Sequence, residues 1–359
     1  MFKVEAPAVR VLVAGASIAG PALAHWLRRR GAEVTVVERA PALRPGGQAV
    51  DARGVAKEVI QRMGLDSAVR AACTETAGAH MVDVAGNVLE TFSAADDGGD
   101  GYISEIEILR GDLSQVLHDD TRDGVEYVFG DRIAEFTQEA DGVDVTFAGG
   151  GRRRFDLVVG ADGLHSTLRA MAFGPHERFV RHLGHVLAFY SVPNEFGLDR
   201  WLIEYQETGS GRSALLRPIQ DATRGMAMFS FPAADFDVDY RDVEAQKRLL
   251  RERMAGLGWL TPRILAPGRH PGLLPRPGRP GGDGPLVERT SGAARGCGVQ
   301  LVAAVRAGHR ASPGRRLRAG WGAGRRWLGP GGRVRRLSGA DGLVRRGQPG
   351  DRPAERAQP

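Results

Sequence analysis

The stretch that decides the fold is VRVLVAGASIAGPALA, residues 9–24. It opens with a short, continuous apolar run that is typical of a buried strand, VRVLVAG. It then passes into a segment with helical spacing of apolar residues, PALAHWLRRRGA, which ends at Gly31. The following run, EVTVVERA, predicts a second strand. The chain therefore begins with a strand–helix–strand unit, which is typical of an α/β protein.

A glycine-rich turn, Gly-Ala-Ser-Ile-Ala-Gly, joins the first predicted strand to the helix. Gly15 permits the tight turn, Gly20 allows close packing, and the helix N-terminus offers free N–H groups to a pyrophosphate. Ser17 replaces the middle glycine of the usual pattern, and Glu38 ends the second strand, where a carboxylate suits an adenosine ribose. The alternative is a packing turn with a surface glutamate. We predict a dinucleotide site formed by Gly15, Ser17, Ile18, Ala19, Gly20, Glu38 and the adjacent Arg39.

Later segments alternate between strand-like and helix-like patterns. Hairpin patterns appear in HMVDVAGNVLETF and in RIAEFTQEADGVDVTFAGGGRRRFDLVVGADG, and amphipathic helices in GDLSQVLHDDTR and DVEAQKRLLRERMAGLG. We predict an α/β fold with a Rossmann-like dinucleotide-binding domain at residues 8–175. A sheet-rich substrate domain follows at residues 176–265, and we expect residues 79–103 to join its sheet.

Composition excludes several classes of protein. The two cysteines and nine histidines show no metal-type spacing, and two cysteines are too few for a disulfide framework. The first apolar run lacks the basic leader of a signal sequence and continues directly into a charged helical pattern. We therefore predict a cytoplasmic protein without a metal site or a membrane partner.

Charge is distributed unevenly along the chain. Residues 266–359 contain 19 arginines, no lysine and 5 acidic residues, so their net charge is +14. The whole chain has a net charge of +6, so residues 1–265 carry −8. They also contain 21 glycines and 11 prolines, a composition that predicts disorder. An arginine-rich arm for nucleic acid is the alternative. The absence of lysine, and of aromatic residues other than Trp321 and Trp327, argues against it, so we predict no nucleic-acid partner.

Two further motifs carry a resemblance to a known family. Arg110 stands at the start of a predicted helix in EILRGDLSQVL, and residues 156–169, DLVVGADGLHSTLR, follow a buried-looking strand. Together they resemble the FAD-dependent aromatic-ring hydroxylases, which are similar to para-hydroxybenzoate hydroxylase. The wording GASIAGP and GGQAVDARG resembles the subgroup of tetracycline- and rifampicin-modifying enzymes and polyketide hydroxylases. The resemblance covers about residues 8–265.

The resemblance implies roles for individual residues. Arg110 would contact the ribityl-pyrophosphate side of FAD, and Arg53 in VDARG would help to close the flavin site. Three further residues would lie where the flavin and the nicotinamide meet: Gly160, Asp162 and Gly163. The alternatives are a solvated arginine at a helix start and an ordinary Asp-Gly turn. For Arg217 in ALLRPI, a role facing the substrate chamber and a strand-edge charge both stay open.

The activity that the resemblance implies is hydroxylation of an aromatic or polyketide-like small molecule, with FAD as cofactor and with NAD(P)H and O₂ as co-substrates. The cofactor carries the chemistry and the protein positions it, so no catalytic side chain is predicted. A flavin-dependent reductase or dehydrogenase shares the fold and the first motif. A non-enzymatic remnant is the third interpretation.

One motif of the family is missing from the tail. The family has a Gly-Asp pair after a strand, then a proline loop and a glycine-rich helix start. Here Gly282-Asp283 is embedded in proline and glycine, and Asp341 lies among arginines. Codons permitted for residues 295–309, read one base later, encode GDAGYSSSPLSGQGT. We therefore predict that residues 266–359 are out of frame and that this chain is inactive because it lacks one wall of the flavin site.

Overall fold

A computed structural model of the protein describes residues 7–99, 101–180, 182–233, 242–266, 287–291 and 303–306. The strands are β1 Arg10–Ala14, β2 Glu33–Glu38, β3 Ala49–Asp51, β4 Gly78–Val82, β5 Val88–Ser93, β6 Glu107–Leu109, β7 Glu126–Phe129, β8 Ile133–Gln138, β9 Val143–Phe147, β10 Arg152–Phe155, β11 Leu157–Gly160, β12 His182–Pro193, β13 Trp201–Gln206, β14 Ser213–Pro218, β15 Arg224–Pro232, β16 Val287–Ser291 and β17 Ala303–Arg306.

There are fewer α-helices than strands among the described residues. They are α1 Ala19–Arg28, α2 Val55–Met63, α3 Asp66–Ala71, α4 Arg110–Thr121, α5 Thr167–Phe173, α6 Val243–Arg253 and α7 Thr261–Ile264. None of the described helices is both long and apolar enough to cross a membrane.

The predicted strand–helix–strand unit forms the centre of a five-stranded sheet with the order β17-β11-β1-β2-β7. β1 pairs in parallel with both β11 and β2, so its backbone groups are satisfied on both sides. Both faces of β1 are covered, which explains its continuous apolar sequence. Val11 and Val13 pack in the cluster that includes Leu23 of α1. Leu12, on the opposite face, packs with residues of the three-stranded sheet β10-β9-β8.

A second, seven-stranded sheet has the order β16-β12-β15-β14-β13-β4-β5. One of its faces packs against α6 and the segment after it, where Phe229 and Phe231 meet Leu250 and Met254. β4 and β5 lie between α3 and β6 in the chain, and β4 joins the sheet by parallel pairing with β13. This sheet is therefore assembled from distant parts of the chain.

The two strands β3 and β6 form a small antiparallel sheet in which Asp51 lies opposite Glu107. β6 leads directly into α4, which begins at Arg110. This small sheet therefore connects the elements around the first helix with the charged residues described below.

Two segments of the arginine-rich tail are strands, whereas the composition predicts no ordered structure there. β16 pairs with β12, and β17 pairs antiparallel with β11. The outer strand of a sheet presents unpaired N–H and C=O groups, so an extended segment can bind it through its backbone whatever its side chains. The rest of residues 266–359 lies outside the described residues, and the disorder of that part stays a prediction.

Candidate functional site

The glycine-rich turn packs directly against the segment that follows β11. Gly15 has φ +109°, and a Cβ atom at this position would lie 2.5 Å from the carbonyl oxygen of Ala161. A Cβ atom on Gly20 would lie 1.8 Å from the carbonyl oxygen of Gly15. Both glycines are therefore required by the backbone itself. The turn brings residues 15–20 next to the predicted residues that follow β11.

The first helix leaves its N-terminal end without a side-chain cap. Its N-cap residue is Ile18, which makes no capping hydrogen bond through its side chain. The first N–H groups of a helix have no partner within the helix and carry a partial positive charge. Because Ser17, Ile18 and Ala19 are only partly buried, this end of α1 can accept an anionic group such as a pyrophosphate.

The carboxylate of Glu38 lies across the ends of β1 and β2. One oxygen accepts a hydrogen bond from the backbone N–H of Ala16 at 3.0 Å, and the other accepts one from the N–H of Ala40 at 2.9 Å. Glu38 also lines the cleft described below, as the sequence predicts for a ribose-binding acid. The adjacent Arg39 is exposed and does not line this cleft, so the structure does not bring it together with the other predicted residues.

Arg110 begins α4 and contacts the glycine-rich turn. Its Nε donates to Oγ of Ser17 at 3.2 Å, and its backbone N–H donates to the carbonyl of Gln48 at 3.0 Å. A Cβ atom on Gly111 would lie 2.5 Å from the backbone nitrogen of Gly46, so α4 approaches this loop closely. The hydroxyl that replaces the middle glycine therefore has a structural role, because it contacts the arginine.

These elements line an open cleft. Predicted residues Ser17, Glu38 and Arg110 line it. The loop at residues 42–48 lines the other side of the cleft. No site role was predicted for this loop from the sequence, although its paired glycines, Gly46 and Gly47, were a signal. The remaining lining residues are Ala16, Ala40, Ala42, Leu43, Arg44, Pro45, Gly46, Gly47, Gln48, Gly111, Ser114 and Phe189.

Asp162 caps the helix that follows β11. Its Oδ2 accepts hydrogen bonds from the backbone N–H groups of Thr167 at 2.8 Å and Leu168 at 3.2 Å. Its Oδ1 is buried and has no hydrogen-bond partner among the described residues. Gly160 ends β11 opposite Ala14, and Gly163 adopts a left-handed φ of +78°. The Oδ2 atom of Asp162 therefore holds the first turn of α5, and none of Gly160, Asp162 and Gly163 lines the cleft described above.

Arg53 lies away from the cleft lining. Its guanidinium donates to Oδ2 of Asp51 at 2.8 Å and to the carbonyls of Gly101 and Tyr102. In this arrangement Arg53 joins the end of β3 to the loop before β6. The structure therefore does not bring Arg53 together with Ser17, Glu38 and Arg110.

A buried charged cluster lies beside the cleft. Oε1 of Glu107 accepts hydrogen bonds from the hydroxyls of Thr74 and Thr76, each at 2.7 Å, and from Nη2 of Arg217. Glu107 and Arg217 are only 6% and 8% exposed, so Arg217 is not a strand-edge charge. Burial raises the pKa of Asp51, and the neighbouring Glu107 adds to this, while Arg53 and Arg217 oppose it. The sequence carried no signal for Glu107.

A second buried acid lies on β13. Glu204 is 5% exposed, and it accepts hydrogen bonds from the hydroxyl of Tyr102 at 2.5 Å and from the amide of Gln206 at 2.9 Å. Burial and the charge of Glu204 raise the pKa of Tyr102 well above its usual value. The phenol therefore stays protonated and keeps donating to the carboxylate.

The seven-stranded sheet reaches the cleft through Phe189 of β12. Its register places Phe189 opposite Met228, and Met228 opposite Leu215. Met228 is partly exposed, while Leu215 is buried with Ile103. The face of the sheet that carries Phe189 is therefore the face toward the cleft, and it offers apolar side chains to a bound molecule.

The residues around the cleft fit an adenine dinucleotide such as FAD. The N-terminal end of α1 has no side-chain cap, and the turn before it has no room for a Cβ atom at Gly15 or Gly20. Glu38 and Arg110 line the cleft beside this turn. These groups match a pyrophosphate and a ribose in charge and in hydrogen bonding. No group of residues that could hold a metal ion occurs in the described ranges.

Comparison with known proteins identifies relatives of this chain. The family described as "FAD binding domain" matches residues 8–254. The uncharacterized protein Rv1260 of Mycobacterium tuberculosis is 44% identical over 256 residues, which cover 71% of this chain and 68% of that protein. A flavin-dependent monooxygenase of an unknown prokaryotic organism is 35% identical over 262 residues, covering 72% of this chain and 65% of that protein.

Solved structures give the same result. The crystal structure of tetracycline destructase Tet(51) superposes with a TM-score of 0.63 at 34% identity, covering 72% of this chain and 66% of that one. The chain thus matches about two thirds of the length of these relatives.

Proposed function

This chain belongs to the FAD binding domain family, and from that membership we propose that it carries the FAD- and substrate-binding parts of a monooxygenase. The proposed reaction is hydroxylation of an aromatic or polyketide-like small molecule with NAD(P)H and O₂. The relative of known type is a flavin-dependent monooxygenase, and the matching crystal structure is that of a tetracycline destructase.

The observation that carries this proposal is the continuity of the cleft with the seven-stranded sheet. Ser17, Glu38 and Arg110 line one side of the cleft, and Phe189 of the sheet lines the same cleft. A cofactor held by the first three residues would therefore lie beside the face of the sheet that carries Phe189. That juxtaposition suits an enzyme in which a large cofactor meets an apolar substrate.

The chain's own residues would bind and orient the cofactor. The uncapped end of α1 and the guanidinium of Arg110 would hold the pyrophosphate, and Glu38 would accept hydrogen bonds from ribose hydroxyls. When bound, FAD supplies the acceptance of hydride from NAD(P)H and the activation of O₂. The apolar side chains of Phe189 and Met228 would exclude water from the substrate.

We further propose that the tail is read out of frame and that the native gene encodes the Gly-Asp motif near residue 295. The relatives extend well beyond the matched region, and the composition of residues 266–359 differs sharply from that of the body. The direct test is the coding DNA around codons 260–300. The proposal would be refuted if independent sequencing gave coding DNA whose shifted frame does not encode the Gly-Asp motif.

The function is tested by adding FAD to the purified chain and to a frame-restored version. We expect the frame-restored protein to bind FAD, to oxidise NAD(P)H and to consume O₂ with formation of a hydroxylated product. NAD(P)H oxidation without an oxygen-dependent product would instead identify a reductase.

We also propose a cytoplasmic protein without nucleic-acid or membrane partners, for which fractionation of cells is the test.

A further inference from the structure

We propose that His25 and Asp120 are a positioning pair for the cofactor. The pair joins α1 to α4 away from the cleft and so fixes how far one helix is shifted along the other. It thereby holds the guanidinium of Arg110 against the N-terminal end of α1. The inference rests on the proposed function, in which these two groups hold the pyrophosphate of FAD.

The first observation is a buried polar pair that stability alone does not explain. The side chain of His25 is 1% exposed, and its Nδ1 is hydrogen-bonded to Oδ2 of Asp120 at 2.6 Å. The other ring nitrogen, Nε2, is buried and has no hydrogen-bond partner in the described part of the chain. Burying polar groups in this way costs free energy, and apolar side chains of similar volume are often as stable or more stable. The pair therefore calls for a role other than stability.

The second observation is the place of the pair in the contact between the two helices. Near the first residues of α1 and α4, Oγ of Ser17 lies 3.4 Å from Oγ of Ser114. His25 and Asp120 meet farther along both helices, and Asp120 follows Ser114 by six residues, which is about 9 Å of helix. The two helices therefore run side by side in the same direction, and the pair joins them away from the cleft.

The contact between these two points is apolar. Ala22 of α1 packs in the same cluster as Leu113 and Leu117 of α4. Apolar contact is non-directional, so it holds two helices together without fixing how far one is shifted along the other. A hydrogen bond weakens steeply when its length or angle changes. The bond between His25 and Asp120 therefore sets this shift.

The residue next to Asp120 anchors the same end of α4 to the five-stranded sheet. Oγ1 of Thr121 lies 2.7 Å from the hydroxyl of Tyr127 on β7, and β7 pairs with β2, the strand that follows α1. This end of α4 is therefore fixed from two sides, by α1 and by the sheet. Arg110 lies at the opposite end of the same helix.

The third observation is the contact that Arg110 makes at the cleft. Its Nε donates to Oγ of Ser17 at 3.2 Å, and Ser17 directly precedes Ile18, the N-cap residue of α1. The contact places a cation beside the N–H groups that have no partner within the helix. A binding site must hold its groups to within about 0.5 Å of the productive geometry. A shift of α4 along α1 would move the guanidinium away from these N–H groups, and the His25–Asp120 pair prevents that shift.

ADP tests this inference on the full chain, because it carries an adenosine ribose and two linked phosphates, as FAD does. ADP affinity is measured by calorimetry, and stability is measured separately by urea unfolding. We expect Asp120→Ala to weaken ADP binding about tenfold, which corresponds to the loss of one charge-assisted hydrogen bond from Arg110. Asp120→Asn keeps a hydrogen-bonding partner for His25, so it should bind ADP as the wild type does.

Asp119→Ala is the matched control. Asp119 is the neighbouring carboxylate on α4, but it accepts a hydrogen bond from Gln115 of the same helix at 3.0 Å. Its removal leaves the bond between α1 and α4 intact, so ADP affinity should stay unchanged. Equal ADP affinity in the wild type and in Asp120→Ala would overturn the inference.

Two further variants separate positioning from a general loss of stability. H25L/D120L replaces the pair by apolar side chains, so its urea midpoint should stay near that of the wild type while ADP binding weakens about tenfold. In an R110A background, Asp120→Ala should cause no further loss of ADP affinity, because the pair acts through Arg110. The same loss with and without Arg110 would overturn the inference. Failure of the wild type to bind ADP would instead contradict the proposed function.

Discussion

The cofactor cleft and the charged cluster beside it are built in opposite ways. The cleft depends on close backbone packing beside it: Gly15 and Gly20 allow no side chain, and α1 begins without a side-chain cap. The cluster is made of side chains, because Glu107 and Arg217 meet across 110 residues of sequence. The difference teaches where each region is vulnerable. The cleft depends on local geometry and the cluster on charge balance.

The largest effect is expected from unbalancing the cluster. Arg217→Met leaves the buried carboxylate of Glu107 without its cation, which should lower the free energy of unfolding by about 3–5 kcal/mol. The double variant E107Q/R217M should recover most of this loss, because no unpaired charge remains. Urea unfolding of the wild type and the two variants measures both values. Equal destabilisation of the single and double variants would show that packing, not charge balance, holds the cluster.

The cofactor cleft should respond in ligand binding more than in stability. Glu38→Ala and Arg110→Ala each remove a group that is proposed to hydrogen-bond FAD, so each should weaken FAD binding about tenfold to a hundredfold in the frame-restored protein. Fluorescence titration with FAD measures the effect. Arg212→Ala, far from the cleft lining, serves as the control and should bind FAD as the wild type does. Unchanged FAD affinity in Arg110→Ala would remove that residue from the site.

A comparison of two glycines with left-handed φ angles distinguishes the cost of backbone strain from the cost of a close contact. Gly31 has φ +78° and no atom within 4 Å of an added Cβ, whereas at Gly15 the added Cβ would collide with Ala161. Gly15→Ala should therefore destabilise the protein by about 1–3 kcal/mol more than Gly31→Ala does. Thermal or urea unfolding of the two variants gives the difference. A similar loss in both would mean that the turn shifts to make room.

The smallest effect concerns pH and Asp51. Its pKa lies above the ordinary value of 3.8 because of burial. A raised pKa means that the folded chain binds this proton more tightly, so the stabilising contribution is complete below the unfolded pKa and is lost as pH rises through the folded one. Asp51→Asn should therefore flatten the decline of stability in the pH range above 3.8. Parallel unfolding curves for wild type and variant across this range would contradict the assignment.

The regions also differ in how far the sequence predicts them. The first β-α-β unit and its turn follow from local periodicity and glycine spacing, and the structure contains them where the pattern places them. Arg39 and Arg53 lie away from the cleft. The sequence could not predict this, because no local pattern specifies which neighbour a long side chain will contact. The pairing of Glu107 with Arg217 depends on the arrangement of two sheets, which no local pattern encodes. Likewise, composition gives no sign that four residues of the tail would pair with β11.

Because β1 lies between β2 and β11, the site can form only after β11 has been synthesised. The backbone N–H of Arg10 bonds to the carboxylate of Asp156, 146 residues later, and Gly15 packs on Ala161. A ribosome adds about 5–20 residues per second, so the opening strand waits on the order of ten seconds for its neighbour to be synthesised. During that interval one edge of an apolar strand stays unpaired, and chaperone binding to the nascent chain should be strongest before residue 160 emerges.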